Sequence, residues 1–184
     1  TALSPIDGRY ARQTDALRDI FSECAFMNAR VRVEVEWLIS LSEAGFAELP
    51  HLSDHGKAFL RGLADNFSLA DCEAIKEIEK TTNHDVKAVE YWIKNQVAHD
   101  EELKSASEFV HFSCTSEDIN NTSHAIMLKR GREALADYLQ QIHDTIAGFA
   151  HQWAEIPMLS RTHGQTASPT TVGKEFANVA VRLE

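Results

Sequence analysis

Three polar clusters contain the side chains best suited to acid–base chemistry or to binding an anion. They occupy residues 81–87, 111–121 and 160–167, and each interrupts an apolar pattern of helical period. Hydroxyl groups, imidazoles and the backbone N–H groups of a helix N-terminus are suitable donors for carboxylate and phosphate oxygens. The clusters therefore indicate a site for an anionic small molecule, with helix capping as the alternative role of the first two.

The first cluster places Asn83, His84 and Asp85 at the start of a predicted helix, because apolar residues recur at helical spacing from Val86 onward. We expect Asn83 to be the N-cap. With Lys87 one turn into the helix, this end could hold a carboxylate or a phosphate. A plain cap with surface neighbours would account for the same spacing.

The second cluster supplies two hydroxyls, those of Thr115 and Ser116, at the start of a second and longer helix. Thr115 is the expected cap of that helix, and both side chains could grip an oxyanion. The spacing of His111, Cys114 and His124 matches no standard zinc pattern, so no metal site is predicted.

The third cluster is predicted to be a polar loop between two apolar helices. It contains His163, flanked by Arg161, Gly164 and Gln165. Histidine suits general acid and base chemistry because its ordinary pKa of about 6.5 is easily shifted by its surroundings. A surface histidine without a function is the alternative.

Helices are predicted to carry these clusters, since only 4 prolines and 8 glycines interrupt the chain and the apolar spacing between them is mostly helical. Residues 31–36 alternate as a half-buried strand would, but Val31, Val35 and Leu38 also share one helical stripe, and we predict a helix there. Ser68 and Asp71 form a capping box that opens a helix ending near residues 81–82. The fold class is therefore all-α.

A long helix is predicted from Ser116 to about Ala154, roughly 58 Å at 1.5 Å per residue. Its apolar stripe cannot be buried within this chain alone and needs partner helices. After Pro157 and the loop, Ser168 and Pro169 are expected to start a last helix. That pattern is still running at residue 184, which predicts a truncated central bundle. We predict domains at 1–110 (N-terminal helical) and 111–184 (start of the bundle).

Composition narrows the function further. A formal charge of −10 argues against a nucleic-acid partner, because phosphate binding requires a basic face. No run approaches the roughly 20 apolar residues that a bilayer requires, so no membrane association is expected. Three widely spaced cysteines fit reduced thiols and a cytoplasmic location.

Taken together, the clusters resemble the bacterial-type adenylosuccinate lyases of the fumarase/aspartase superfamily, in content, order and approximate spacing. The match extends over nearly the whole chain and corresponds to the N-terminal portion of that family. The matching segments are SPIDGRY at 4–10, TTNHDVKAVEY at 81–91, SEFVHFSCTSEDINN at 107–121 and SRTHGQTA at 160–167.

The resemblance implies elimination of fumarate from adenylosuccinate and from SAICAR, without a cofactor. A base removes the proton beside a carboxylate, the carbanion is stabilised as its aci-carboxylate, and an acid protonates the departing nitrogen. In this family the acid corresponds to His163, and His84 supports it by helping to position the substrate. The substrate-contacting positions correspond to Arg9, Tyr10, Asn83, His84, Asp85, Thr115, Ser116 and Gln165.

The family's serine-rich SSxMPxKxN segment, which holds the catalytic base, does not occur in these 184 residues. The resemblance therefore implies that this chain alone is inactive and that the complete enzyme is a homotetramer. Two alternatives stay open: another lyase of the superfamily, such as one acting on argininosuccinate, or a non-catalytic helical interaction module.

Overall fold

A computed structural model describes residues 2–49 and 51–184, and most of them are helical. The prediction of a helical fold class is confirmed, with one short β-hairpin as the addition. Within the described residues, none of the helices is both long and apolar enough to cross a bilayer. The elements are α1 Arg18–Phe21, α2 Glu23–Glu43, α3 Asp54–Asp65, α4 Leu69–Thr82, α5 Asp85–Val97, α6 Glu101–Ala106, α7 Ser116–Gln152, β1 Pro157–Thr162, β2 Gln165–Thr171 and α8 Val172–Leu183, with short 3₁₀ turns at Asp15–Leu17 and Ser107–Phe109.

The chain forms two compact units, Thr1–Gly131 and Arg132–Glu184, and the division falls inside α7. The predicted domain division at residues 110 and 111 concerns the whole protein and stays a prediction. The long helix predicted from Ser116 is confirmed over 37 residues.

The core of the first unit is built around one face of α2. The ambiguous stretch at 31–36 is helical, and Val31, Val35 and Leu38 on its stripe are buried. They belong to one apolar cluster with Ile75 of α4 and Ile93 of α5. This packing holds the N-terminal end of α5, where the first polar cluster lies.

Helix caps in the first unit follow the sequence closely, with one exception. Ser68 and Asp71 form the predicted capping box, and α4 ends at Thr82 as expected. Asn83 was expected to cap α5, and this prediction is wrong. With φ at 50°, Asn83 adopts the left-handed conformation that ends α4, and its neighbour His84 caps α5.

The second unit consists of the later part of α7, the β1–β2 hairpin and α8. Residues 160–167 were predicted to be a loop and 168–169 to start a helix; both predictions are wrong. Residues 157–171 form an antiparallel hairpin, and α8 begins at Val172 with Thr171 as its cap. Pro169 is tolerated because both strands of a two-stranded sheet are edges.

Candidate functional site

His84 is held by its own helix. Its Nδ1 accepts a hydrogen bond from the Lys87 backbone N–H at 3.2 Å, the geometry of an N-cap. An imidazole nitrogen that accepts from an N–H carries no proton. The hydrogen bond therefore assigns the ring proton to Nε2, so that the free edge of the imidazole is a donor.

That free edge faces the second polar cluster. His84 Nε2 lies 3.4 Å from the Ser116 hydroxyl, although the two residues are 32 positions apart. Ser116 opens α7, so the N-terminal ends of α5 and α7 meet at this contact. Two groups that can donate to an oxyanion are thereby brought side by side.

Thr115 caps α7, as predicted. Its N–H and hydroxyl both donate to Asp118 Oδ2, at 2.7 and 2.8 Å, and the Asp118 N–H donates back to the hydroxyl. Both hydrogen bonds lower the pKa of the Asp118 carboxyl, and the bond from the Thr115 N–H has the larger effect. The reciprocal bonds fix the start of α7 and therefore the position of Ser116.

The carboxylate of Asp85 forms an ion pair with the buried guanidinium of Arg30. Its Oδ2 accepts from Arg30 Nη2 at 2.5 Å, and Arg30 Nε donates to Asn120 Oδ1 at 2.9 Å. Partial burial by itself would raise the pKa of Asp85. The Val86 N–H and the positive charge of Arg30 outweigh that effect, and the pKa is lowered. Asp85 is therefore a carboxylate with a fixed partner.

A second buried ionisable group lies beneath the loop that precedes α7. Glu34 is 1% exposed, and its Oε1 shares a hydrogen bond with His111 Nδ1 at 2.5 Å. Desolvation raises the pKa of Glu34, despite the opposing effect of His111. His111 and Ser113 have φ values of 63° and 61°, so this loop is held in a strained conformation.

Arg9 and Tyr10 lie in an N-terminal turn rather than in the His84 cluster. The Tyr10 N–H donates to the Pro5 carbonyl at 2.8 Å, and the Arg9 guanidinium lies 5.6 Å from the Tyr10 ring centroid. Both side chains are exposed. Their predicted role as substrate contacts stays a prediction.

His163 sits at the tip of the β1–β2 hairpin. Thr162 pairs with Gln165, which leaves His163 and Gly164 as a two-residue turn, with φ values of 51° and 75°. Positive φ at both central residues is the pattern of a type I′ turn, which Asn-Gly usually occupies. Histidine adopts this left-handed backbone conformation more readily than most residues do. The turn presents the imidazole to solvent, and Gln165 is exposed beside it.

The structure thus brings together some of the predicted site residues. In the first unit, the segment Asn83, His84 and Asp85 meets Ser116, with Thr115 adjacent. His163 and Gln165 belong to the second unit. Across the described ranges 2–49 and 51–184, no three His, Cys, Asp or Glu side chains converge as metal ligands.

Two buried groups were not singled out from the sequence, Arg30 and Glu34. Both lie on the same helical stripe of α2 as the apolar residues Met27, Val31 and Val35. A charged residue on an otherwise buried stripe is the signal that could have revealed them, since unpaired charges are excluded from cores.

Comparison with known proteins places these observations in a family. A family model described as "Lyase" matches residues 8–184. Proteins named adenylosuccinate lyase from Vibrio cholerae and Haemophilus influenzae are 54% and 55% identical over the whole chain. The chain spans 41% of the length of each of these relatives.

Solved structures agree in fold. A fumarate lyase from Mesorhizobium matches 92% of this chain and 39% of its own, with a TM-score of 0.69 and 20% identity. A 3-carboxy-cis,cis-muconate lactonizing enzyme from Pseudomonas putida matches 92% of this chain and 37% of its own, with a TM-score of 0.71 and 22% identity. At these identities the likeness concerns the fold alone.

Proposed function

Because this chain belongs to the lyase family, we propose that it is the N-terminal part of an adenylosuccinate lyase. The complete protein would eliminate fumarate from adenylosuccinate, giving AMP, and from SAICAR, giving AICAR, in purine biosynthesis. The observation that carries this proposal is the meeting of His84 with Ser116 at two helix N-termini. The identity to proteins of that name supports the substrate assignment.

The proposed reaction breaks one C–N bond of the succinyl group. A base takes the proton from the carbon beside a carboxylate, and the electron pair left behind is delocalised into that carboxylate. The pair then forms the C=C bond of fumarate as the C–N bond breaks, and His163 protonates the departing nitrogen. No cofactor takes part, and the base comes from a serine-rich segment outside these 184 residues.

The local structure supports a binding role for the first two clusters. Donors fixed before the substrate arrives need no reorganisation to stabilise developing negative charge. The Nε2–H of His84 and the hydroxyl of Ser116 are two such donors, held by the caps of α5 and α7. We propose that the following positions contact the substrate: Arg9, Tyr10, Asn83, His84, Asp85, Thr115, Ser116 and Gln165.

The complete protein is proposed to be a cytoplasmic homotetramer. The three cysteines of the 184-residue chain are free thiols, which supports a reducing compartment. Exposed apolar residues on α7, such as Leu139 and Ile142, support association with further helices. The proposed partners are small-molecule substrates, with no nucleic acid and no membrane.

The decisive assay compares the 184-residue chain with the complete protein. We expect the complete protein to release fumarate from adenylosuccinate and SAICAR but not from argininosuccinate. The 184-residue chain should release none, because it lacks the serine base. Fumarate release from argininosuccinate alone would identify a different lyase, and a complete protein inactive on all three would contradict the proposal.

The acid role is tested by His163→Asn in the complete protein. Asparagine accepts the positive φ of the turn but cannot transfer a proton at neutral pH, so the hairpin is kept while the acid is lost. Because general acid catalysis contributes about 10²–10⁴-fold, kcat should fall by at least about 100-fold with little change in KM. His151→Asn, an exposed histidine at the end of α7, is the matched control and should be unaffected. Retained kcat in His163→Asn would refute the acid role.

A further inference from the structure

Arg30 is a buried cation that connects the first two polar clusters. The residue is 5% exposed, and it donates in two directions, to Asp85 at 2.5 Å and to Asn120 at 2.9 Å. Asp85 follows His84 directly, and Asn120 lies about one turn after Ser116 in α7. A single guanidinium therefore holds the N-terminal ends of α5 and α7, where His84 and Ser116 face each other.

A third contact restrains this guanidinium. Arg30 lies over the Phe26 ring at 3.9 Å from its centroid, and Phe26 stacks on His124 of α7 with centroids 4.5 Å apart. A planar guanidinium donates in fixed directions, whereas a lysine ammonium is a flexible point charge. The Phe26 ring thus restrains the guanidinium whose donors reach Asp85 and Asn120.

From this geometry we propose that Arg30 is a positioning residue, which sets the distance and orientation between His84 and Ser116 by tying Asp85 to Asn120. Its effect on substrate binding rests on the proposed function, whereas its effect on His84 does not. Arg30 itself is buried beneath the cluster and acts through its two partners.

The surrounding core explains why a structural role alone is a poor account of Arg30. Met27, Val31 and Leu38 fill the same face of α2 with apolar side chains. A buried ion pair is often replaceable by apolar residues without loss of stability. What an apolar residue could not supply is the pair of directed hydrogen bonds to two different helix ends.

The first test measures the imidazole of His84 in the 184-residue chain by ¹⁵N NMR. In the wild type we expect a proton on Nε2 and an unprotonated Nδ1. In Arg30→Met the two tautomers should mix, and exchange of the Lys87 amide hydrogen should rise at least about tenfold as the cap loosens. Arg32→Met is the matched control, because Arg32 lies on the same helix and its own ion pair, to Asp65, is partly exposed.

This test can overturn the proposal even if one variant does not fold. His84 signals that are the same in folded Arg30→Met and Arg32→Met would overturn the proposal. If Arg30→Met does not fold, the His84 signals of Arg30→Lys are compared with those of Arg32→Met instead. Lysine retains the buried charge but lacks the fork of directed donors. Circular dichroism establishes folding for each variant.

The second test is kinetic and uses the complete protein. Arg30→Lys should raise KM for adenylosuccinate at least about tenfold, with a smaller fall in kcat, because substrate positioning is lost while the acid is intact. Arg32→Lys should change neither, and an unchanged KM in Arg30→Lys would overturn the link to binding. If the wild-type protein does not cleave adenylosuccinate, the proposed function fails, and the NMR comparison still decides the role of Arg30.

Discussion

Glu34 shows how one residue can make stability depend on pH. Its carboxyl is buried, with one oxygen bonded to His111 and the other without a hydrogen-bond partner among the described residues. Burial disfavours the charged form, so the pKa of Glu34 is raised above its ordinary value of 4.5. The folded state therefore binds this proton more tightly than the unfolded state does.

The sign of the pH effect follows from linkage. The contribution of Glu34 to stability is fully present below the unfolded pKa, near 4.5, and is lost as pH rises through the higher folded pKa. We therefore expect the free energy of unfolding of the wild type, relative to Glu34→Gln, to fall as pH rises above about 4.5. Urea denaturation at a series of pH values measures this difference.

Glu36, two residues further along α2, provides a control of opposite sign. Its hydrogen bond with Arg61 lowers the pKa of its carboxyl, outweighing partial desolvation. Its contribution should therefore be present above the unfolded pKa and lost as pH falls. Relative to Glu36→Gln, wild-type stability should rise with pH. Parallel trends for Glu34→Gln and Glu36→Gln would contradict the assignment.

For single residues, helix caps could be predicted from the sequence, but hydrogen-bond partners distant in the chain could not. The capping box at Ser68 and the cap at Thr115 depend on neighbours within three positions, and both were predicted. Arg30 instead meets Asp85 and Asn120, which lie 55 and 90 positions away. No periodicity encodes such contacts, because they arise only when three helices have packed.

At the element scale, the β1–β2 hairpin was missed because its residues carry weak strand signals. Ser160, Arg161 and Thr162 are polar, and Pro169 cannot donate a backbone hydrogen bond. The hairpin needs little apolar alternation, since it is short and both strands are edges. The one local clue was His163-Gly164, a pair that resembles the Asn-Gly of tight hairpin turns.

The pair of helices α7 and α8 depends on close backbone approach at Gly173. A Cβ at this position would overlap the Ala150 carbonyl and the Ala154 backbone, so neither neighbour could move aside easily. Gly173→Ala should destabilise the second unit by about 1–3 kcal/mol, the usual effect of overpacking. Thermal unfolding followed by Trp153 fluorescence, in a background with Trp37 and Trp92 replaced by phenylalanine, measures it, because Trp153 packs against Phe176 of α8.

Gly148 provides the matched control on α7. A Cβ at Gly148 meets nothing within 4 Å. Because alanine is a better helix former than glycine, Gly148→Ala should stabilise the unit by up to about 1 kcal/mol. If both substitutions shift stability in the same direction, close packing at Gly173 is not the cause.

At the scale of the whole molecule, the second half of α7 presents an apolar surface to solvent. Leu135, Tyr138, Leu139 and Ile142 are 43%, 61%, 57% and 49% exposed. The sequence predicted that this stripe could not be buried by the chain itself, and these exposures agree. The identity of the helices that cover it could not be read from the stripe, because apolar periodicity specifies a face and not a partner.

Such a surface should make the 184-residue chain self-associate as its concentration rises. Leu139→Glu places a charge at the centre of the stripe and removes a leucine, whose burial stabilises by about 1.5–3 kcal/mol. Since 1.4 kcal/mol corresponds to a factor of ten, the dissociation constant should rise at least about tenfold, as measured by sedimentation velocity. Ala136→Glu adds the same charge at an exposed position outside the stripe and should have little effect. A chain that stays monomeric at all concentrations, or equal effects of the two substitutions, would exclude the stripe as an association surface.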